Sequence, residues 1–403
     1  MSDLHVVEVG PIAHGGHCVA RLDGQVVFVR HALPGEQVRI RITETGKRFL
    51  RADAVEVLRA APDRVEPPCA LAGICGGCDF QHVSMTGQAQ LLGDVVREQL
   101  QRLAGVDWAG EVEVITPTLG WRTRMIWSVA PDGRPGLRRH RSHDVVPVDT
   151  CPIAHPDLPD VTLQTWDSPS VEAIRSSTGQ HLLVTDASIE DATEAGVDGV
   201  VADDGTVRAG TDHLTERVND IDFRVTGSGF WQVHPEAAST LVDAVLDVAQ
   251  VRPGDTVHDL YAGVGLFTAF LADAAGPAGH VLSVEADRVG HRDARRNLHD
   301  RPTVELIADT SERVLQHQRL GERADIVVLD PPRTGAKKAV AGIAALSPRR
   351  IVYVACDPAA LARDIASFAP LGYRMAGLRA FALFPMTHHV ECVAVLERAE
   401  VPE

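Results

Sequence analysis

Short apolar runs alternate with polar residues and Gly or Pro breaks over the first 58 residues, at 5–10, 17–22, 25–30, 37–42 and 52–58. That even spacing predicts a small closed β-barrel. Residues 59–68 are polar and Pro-containing and read as a linker. A cysteine-rich segment follows, then an apolar periodicity that predicts an amphipathic helix over about 86–103. Residues 120–230 alternate as a β-rich, mixed region, and 155–210 are acidic and carry no interpretable motif. From residue 230 onward strands alternate with helices, the pattern of a parallel, doubly wound α/β sheet. Three domains are therefore expected, 1–58, 59–229 and 230–403, with the helix at 86–103 free to pack on the third. There is no internal repeat and no low-complexity tract.

The chain has 403 residues, 45% of them hydrophobic, enough to bury two or three cores. No apolar run approaches the roughly 20 residues of a membrane span. The opening Met-Ser-Asp-Leu-His shows no basic stretch leading into an apolar one, so no signal peptide is expected, and a cytoplasmic location is. Seven cysteines at uneven spacing point to metal binding or catalysis, not to a disulfide framework. The net charge of −16 is weak evidence against a nucleic-acid partner. It is unevenly spread. Residues 155–225 hold 15 acids and 4 bases, whereas 117–151 hold 3 acids and 6 bases. A local basic patch is what polyanion binding requires, so RNA is not excluded.

The first strand of the α/β region leads through Asp259 and Tyr261 into Gly263-Val264-Gly265, a glycine turn that lets the backbone pass close to a ligand. Gly-x-Gly alone is a weak signal, and the third glycine of a dinucleotide fingerprint is missing. The next strand ends at Glu285, 22 residues past Gly263, where an acid can accept both hydroxyls of a ribose. The third strand leads to Asp309 and the fourth ends as Asp330-Pro331-Pro332-Arg333. Four strands thus deliver acids to one sheet edge. The series fits S-adenosylmethionine better than a nicotinamide, because the former has a ribose but no pyrophosphate. Arg333 stands where exocyclic-amine methylases want an aromatic to stack the base, so amino methylation is disfavoured.

A fifth strand, Ile351-Val352-Tyr353-Val354-Ala355, runs into Cys356-Asp357-Pro358, a helix cap and a first-turn proline. Cys356 would sit at a helix N-terminus, where N–H groups and the dipole favour thiolate. A thiolate near a methyl donor suits one reaction in particular. Carbon 5 of a pyrimidine is inert until carbon 6 is attacked, and the adduct must then lose its carbon 5 proton to a base. Glu391 opens an otherwise apolar strand, where a carboxylate is out of place unless used, and is the candidate base. His388 and His389 are alternatives as bases or phosphate contacts.

The Asp330-Pro331-Pro332-Arg333 turn, Cys356-Asp357-Pro358-Ala359 with Leu361-Ala362-Arg363-Asp364, and Thr387-x-His389-x-Glu391 together resemble the RNA uracil-5-methyltransferase family. The resemblance implies a Rossmann-like class I methyltransferase domain, S-adenosylmethionine as donor, Cys356 as nucleophile and Glu391 as proton acceptor. It also implies cofactor contacts from Gln232, Tyr261, Gly263, Glu285, Asp309 and Asp330. Two positions depart from the family pattern. Leu266 replaces a polar residue, and His234 stands where Asn is usual, which puts a substrate contact there in question.

Cys69, Cys75 and Cys78, with glycines between them, and the distant Cys151 can wrap one metal centre. Spacing leaves zinc, a 4Fe–4S cluster and ordinary buried thiols open. The family resemblance favours the iron–sulfur cluster. Cys18 and Cys392 read as core. The first 58 residues, with Ala13-His14-Gly15-Gly16 and Ala32-Leu33-Pro34-Gly35-Glu36, resemble the OB-like TRAM barrel that precedes this enzyme type. Lys47, Arg48 and Arg51 are candidate phosphate contacts there. The stretch Arg122, Arg124, Arg134, Arg138, Arg139 and Arg141 is the stronger candidate. The expected activity is 5-methyluridine formation in RNA, with ribosomal RNA favoured over transfer RNA and neither membrane nor protein partner implied. A cytosine-5 RNA methyltransferase is disfavoured because its second cysteine is replaced by Arg333. A non-catalytic RNA-binding protein is disfavoured by the pairing of Cys356 with Glu391.

Overall fold

The computed structural model describes residues 4–188 and 196–399. Part of the acidic stretch at 155–210 lies outside them. The first unit is a six-stranded sheet built from Leu4–Glu8, Ile12–Ala13, His17–Leu22, Gln25–Arg30, Gln37–Thr45 and Phe49–Arg59. Its alternation buries Val27, Val29, Val38 and Ile40 on one face. The sheet curls back on itself, because Gly10 N–H reaches Val19 O and Val19 N–H reaches Pro11 O.

The amphipathic helix spans Met85–Ala104. Ser84 caps it by accepting from Gly87 N–H, and Gly105 ends it in the left-handed region at φ 65°. Its apolar stripe of Leu91, Leu92, Val95, Val96 and Leu100 packs into the core shared by the barrel and the last sheet. The strand that follows, Val112–Val114, joins the far edge of that sheet. A seven-stranded mixed sheet occupies 124–210, and the hairpin His213–Val218 with Ile221–Thr226 leads out of it.

The last sheet has eight strands in the spatial order Val304–Ala308, His280–Glu285, Thr256–Leu260, Ile326–Leu329, Arg350–Ala355, Glu391–Arg398, Tyr373–Ala382, Val112–Val114. The first five are parallel and almost solidly apolar, as a sheet covered on both faces must be. Strand order reverses between Thr256–Leu260 and Ile326–Leu329, the place where α/β sheets open a crevice at their carboxyl ends. Strand Glu391–Arg398 enters antiparallel, pairing Ala355 with Cys392. Glu391 is therefore interior to the sheet and 4% exposed, not an edge carboxylate facing water.

Buried polar side chains fix the loops around that crevice. Tyr353 donates to Asp364 at 2.8 Å, and Asp364 accepts from Ala336 N–H at 2.6 Å. This ties the segment after Asp330 to the helix after Cys356. Gln88, 1% exposed, donates to Val83 O at 3.0 Å and accepts from Met386 N–H at 2.9 Å. One amide thus joins the first long helix, the cysteine segment and the loop before Glu391. Leaving two such buried backbone groups unpaired costs about 1–3 kcal/mol each. Gln88→Leu is expected to lower the melting temperature by about 5–10 °C in scanning calorimetry, whereas an unchanged melt would show the amide to be dispensable.

Candidate active site

A cavity of about 970 Å³ opens at the carboxyl ends of the parallel strands. It is lined by Gln232, Tyr261, Gly263, Glu285, Asp330, Cys356 and Glu391, so seven of the eight residues expected at the site face one space. The eighth does not. Asp309 accepts from Arg319 at 2.9 Å and from Thr310 N–H at 2.9 Å, and Arg313 lies 3.5 Å away. Two arginines and a loop amide take up its carboxylate away from the cavity. Asp259, read as a strand-end acid, is also withdrawn: it is 1% exposed, and Thr268 donates to it at 2.5 Å.

Local backbone explains how the others arrive. Tyr261 follows the first strand with φ 63°, a costly conformation for a non-glycine residue that recurs at functional sites. Its hydroxyl donates to Glu312 at 2.8 Å. Glu285 accepts from Gly263 N–H at 2.7 Å and Asp287 N–H at 2.5 Å, fixing the acid against the glycine turn. Asp357 caps the helix Pro358–Phe368 through Ala360 N–H, which places Cys356 one residue before the cap. Extending the register of Ala355 with Cys392 by one residue sets Cys356 beside Glu391.

The electrostatics differ from the expectation of a ready thiolate. Burial, followed by the carboxylates of Glu391 and Asp330, pushes the Cys356 thiol up to about 11. The cap residue Asp357, not Cys356, accepts from Ala360 N–H, and burial with the two acids sets the thiol's direction. Burial, with the charge of Asp330, holds Glu391 well above the usual carboxylate range. Burial and Asp259 raise Asp330 likewise. Arg333 opposes the rise at Cys356 and at Glu391 and lies 3.5 Å from His389. Burial pushes His389 down to about 4, so it is neutral near pH 7.

The loop carrying His388 is held from outside its own sheet. His388 Nδ1 lies 2.6 Å from Asp79, and both Asp79 N–H and Phe80 N–H donate to Met386 O. Asp79 carried no signal in the sequence beyond standing next to Cys78. Phe230, 74% exposed, stands at the cavity wall beside Gln232. His234 is structural, with Nε2 3.0 Å from Pro117 O and Nδ1 accepting from Glu236 N–H.

The basic stretch divides. Arg124 is 8% exposed and donates to Gly227 O at 2.5 Å and Gly229 O at 2.6 Å, so it braces the approach to Gln232 instead of facing RNA. Arg122 is largely withdrawn and borders both this cavity and a second one. Arg134 is paired with Asp132, while Arg138, Arg139 and Arg141 stay exposed beside the barrel. Lys47 and Arg48 are exposed at the barrel's Gln37–Thr45 to Phe49–Arg59 turn, and Arg51 lies over the rings of Phe28 and Phe49. The second cavity, about 430 Å³, is lined by Cys69, Cys75, Cys78 and Cys151. Cys18 and Cys392 are core residues, 1% and 0% exposed.

Residues 6–55 match the TRAM domain, and residues 209–399 match the tRNA (Uracil-5-)-methyltransferase family. An RNA methyltransferase of Streptomyces avermitilis is 47% identical over 99% of both chains. The 23S rRNA (uracil(1939)-C(5))-methyltransferase RlmD of Alcanivorax borkumensis is 32% identical over 96% of this chain and 95% of that protein. The Pyrococcus abyssi tRNA (uracil-54, C5)-methyltransferase, solved in complex with S-adenosyl-L-homocysteine, shares the fold. It superposes with a TM-score of 0.74 at 24% identity, covering 96% of this chain and 99% of that one.

The raised thiol makes a direct prediction. Alkylation of Cys356 by iodoacetamide in the donor-free protein, followed by peptide mass mapping, should rise about ten-fold per pH unit from pH 7 toward about 11. Glu391→Gln removes a neighbour that is negative only above its own raised pKa, and should speed alkylation toward the alkaline end of that range. A slower reaction in that variant would show that the carboxylate does not raise the thiol.

Proposed function

The chain belongs to the RNA uracil-5-methyltransferase family, and we propose that Cys356 and Glu391 carry its reaction on a uridine of 23S ribosomal RNA. The protein is an S-adenosylmethionine-dependent enzyme that methylates carbon 5 of uridine in RNA. The observation that carries the residue assignment is the shared cavity: a thiol and a buried carboxylate stand side by side beyond the glycine turn and Glu285.

The cavity suits the methyl donor. Asp330 and Glu391 line the cavity, and burial followed by a neighbouring acid raises each of them, so a positively charged ligand beside them is favoured. Glu285 would receive the ribose, and Tyr261, Gly263, Gln232 and Asp330 would line the remainder. When bound, S-adenosylmethionine supplies an electrophilic methyl group on a cationic sulfonium. Cys356 gives up its proton to solvent and Sγ adds to carbon 6 of the uracil, turning carbon 5 into a nucleophile. Methylated carbon 5 still bears its hydrogen. Glu391 takes that proton, the S–C6 bond breaks, and the thiolate leaves. A uridine covered by stacking must first be flipped into the pocket, and the exposed Phe230 at its wall offers a surface for the displaced bases.

The choice of ribosomal RNA is supported by the Alcanivorax relative, whose name specifies a 23S uridine. The domain plan does not separate the two RNAs, since a transfer-RNA enzyme superposes over nearly the whole chain. Transfer RNA is the second reading. Cytoplasmic placement follows from either substrate, and among the described residues no helix is long and apolar enough to cross a membrane.

A 4Fe–4S cluster at Cys69, Cys75, Cys78 and Cys151 completes the proposal. All four thiols border one cavity, and each of Cys75, Cys78 and Cys151 is raised by burial and by the charge of other cysteines. Burial lowers Arg122, and the nearby Cys151 and Cys78, followed by Glu172, oppose that shift. A buried cation facing thiols suits a set of thiolates. Among the described residues, no three His, Cys, Asp or Glu side chains converge closely enough to hold a single metal ion. Such a cluster would tie the cysteine segment to the central domain.

Cys356→Ala is expected to abolish 5-methyluridine formation while leaving donor binding nearly intact. Glu391→Gln should accumulate a covalent RNA–protein adduct on denaturing gels, since methylation precedes proton loss. Free enzyme with undiminished turnover would make another group, such as His389, the base. Mass mapping of 5-methyluridine in ribosomal and transfer RNA from a host lacking the protein decides the substrate. Protein purified without oxygen should absorb at roughly 400 nm and hold about four iron atoms, both lost in Cys151→Ser. Stoichiometric zinc without colour would replace the cluster.

A further inference from the structure

His14 stands on the barrel loop after strand Ile12–Ala13, far in sequence from the nucleophile. Its Nε2 lies 3.0 Å from Asp357 Oδ2. Asp357 divides its two oxygens: Oδ1 caps the helix at Ala360 N–H, 2.7 Å away, and Oδ2 meets the imidazole. Cys356 is the residue immediately before that cap. Two residues past His14, Gly16 sits against the catalytic loop at φ +78°, where an added Cβ would lie 2.8 Å from His388 Cβ. The barrel is thus seated on both halves of the site, the nucleophile's turn and the loop leading to Glu391. His388 is gripped on its other side by Asp79.

We propose that His14 is a positioning residue for the methylation step, holding the Asp357 cap and thereby the direction in which Cys356 Sγ is presented. Its role rests on the assignment of Cys356 as nucleophile. The barrel then does more than tether RNA: it supplies part of the active-site wall. The physical reason is geometric. A side chain beside a helix cap takes its direction from the cap's backbone, and that backbone is pinned only as firmly as the cap's two oxygens. With His14 absent, one oxygen loses its partner and the turn gains freedom. A nucleophile 1 Å out of place can cost about a hundred-fold in rate, so partial loosening should cost about ten-fold.

The test uses the full-length protein, S-adenosylmethionine and the unmodified RNA transcript that the wild-type enzyme methylates. His14→Ala should slow single-turnover methylation at saturating RNA and donor by about ten-fold, with RNA affinity within about two-fold of wild type. His14→Gln, whose amide N–H can reach the place of Nε2, should recover most of the rate. That recovery distinguishes a positioning hydrogen bond from a general loss of loop structure. Full rate in His14→Ala overturns the proposal, as does loss of RNA affinity alone, which would make His14 an RNA contact. A glutamine variant as slow as alanine overturns it as well. Cys356→Ala run in parallel separates the two levels: methylation surviving in that variant removes the nucleophile assignment, whereas its loss with an unaffected His14→Ala removes the role of His14 only.

Discussion

One antiparallel strand in an otherwise parallel sheet makes this site. Parallel strands deliver only their carboxyl ends to the crevice, so a nucleophile at the end of Arg350–Ala355 would ordinarily face residues from other strand ends. Strand Glu391–Arg398 runs the opposite way and brings its first residue to the same edge. A sulfur and a carboxylate, 35 residues apart, become lateral neighbours through backbone pairing. The arrangement tolerates no slippage. Moving the pairing by one residue would turn Glu391 to the opposite face and present Cys392 or Val390 instead.

Much of the rest of the molecule serves to hold that register and the loop that precedes it. Tyr353, Asp364 and Ala336 N–H lock the Asp330 turn to the helix after Cys356. Gln88 holds Met386 from the long helix, and Asp79 holds His388 from the cysteine segment. Met386 itself adopts φ 70°, a strained conformation that persists because these partners over-determine it. Arg124, buried between Gly227 O and Gly229 O, fixes the opposite wall that carries Phe230 and Gln232. Every domain therefore contributes a clamp, and the cavity is a property of the assembled chain.

How much of this was legible in advance follows from what periodicity encodes. Alternation and helical spacing placed the barrel strands, the long helix and the parallel sheet, because burial on one face leaves a regular imprint. A lone carboxylate in an apolar strand and a cysteine before a capping Asp-Pro marked Glu391 and Cys356. A strand end shows where a backbone stops, not whether Arg313 and Arg319 claim the side chain, so the pairing of Asp309 is not legible in the sequence. Arg122 and Arg124 were counted as surface charge, since a charge tally is blind to burial. The thiolate expectation considered only the local helix, while the acids that raise Cys356 come from residues 26 positions earlier and 35 later. His14 and Asp79 were invisible as site residues because their partners lie more than 300 residues away.

The buried acids argue that function, not stability, shaped this edge of the sheet. Asp259 is itself buried in strand Thr256–Leu260, and burial lifts its carboxyl from 3.8 to about 7. The sign is unfavourable to folding. A group raised in the folded state costs nothing below its unfolded value, and its cost grows as pH climbs from about 4 toward 7. A rise of that size costs on the order of 4 kcal/mol at neutral pH. Asp330 and Glu391 add to it in the same direction. Apolar residues of similar volume would remove the penalty, as they do at the surrounding positions Val327, Val328, Val393 and Ala394. Asp330 and Glu391, retained at such expense, face the open cavity and what enters it, while Asp259, withdrawn from that space, acts there only through Asp330.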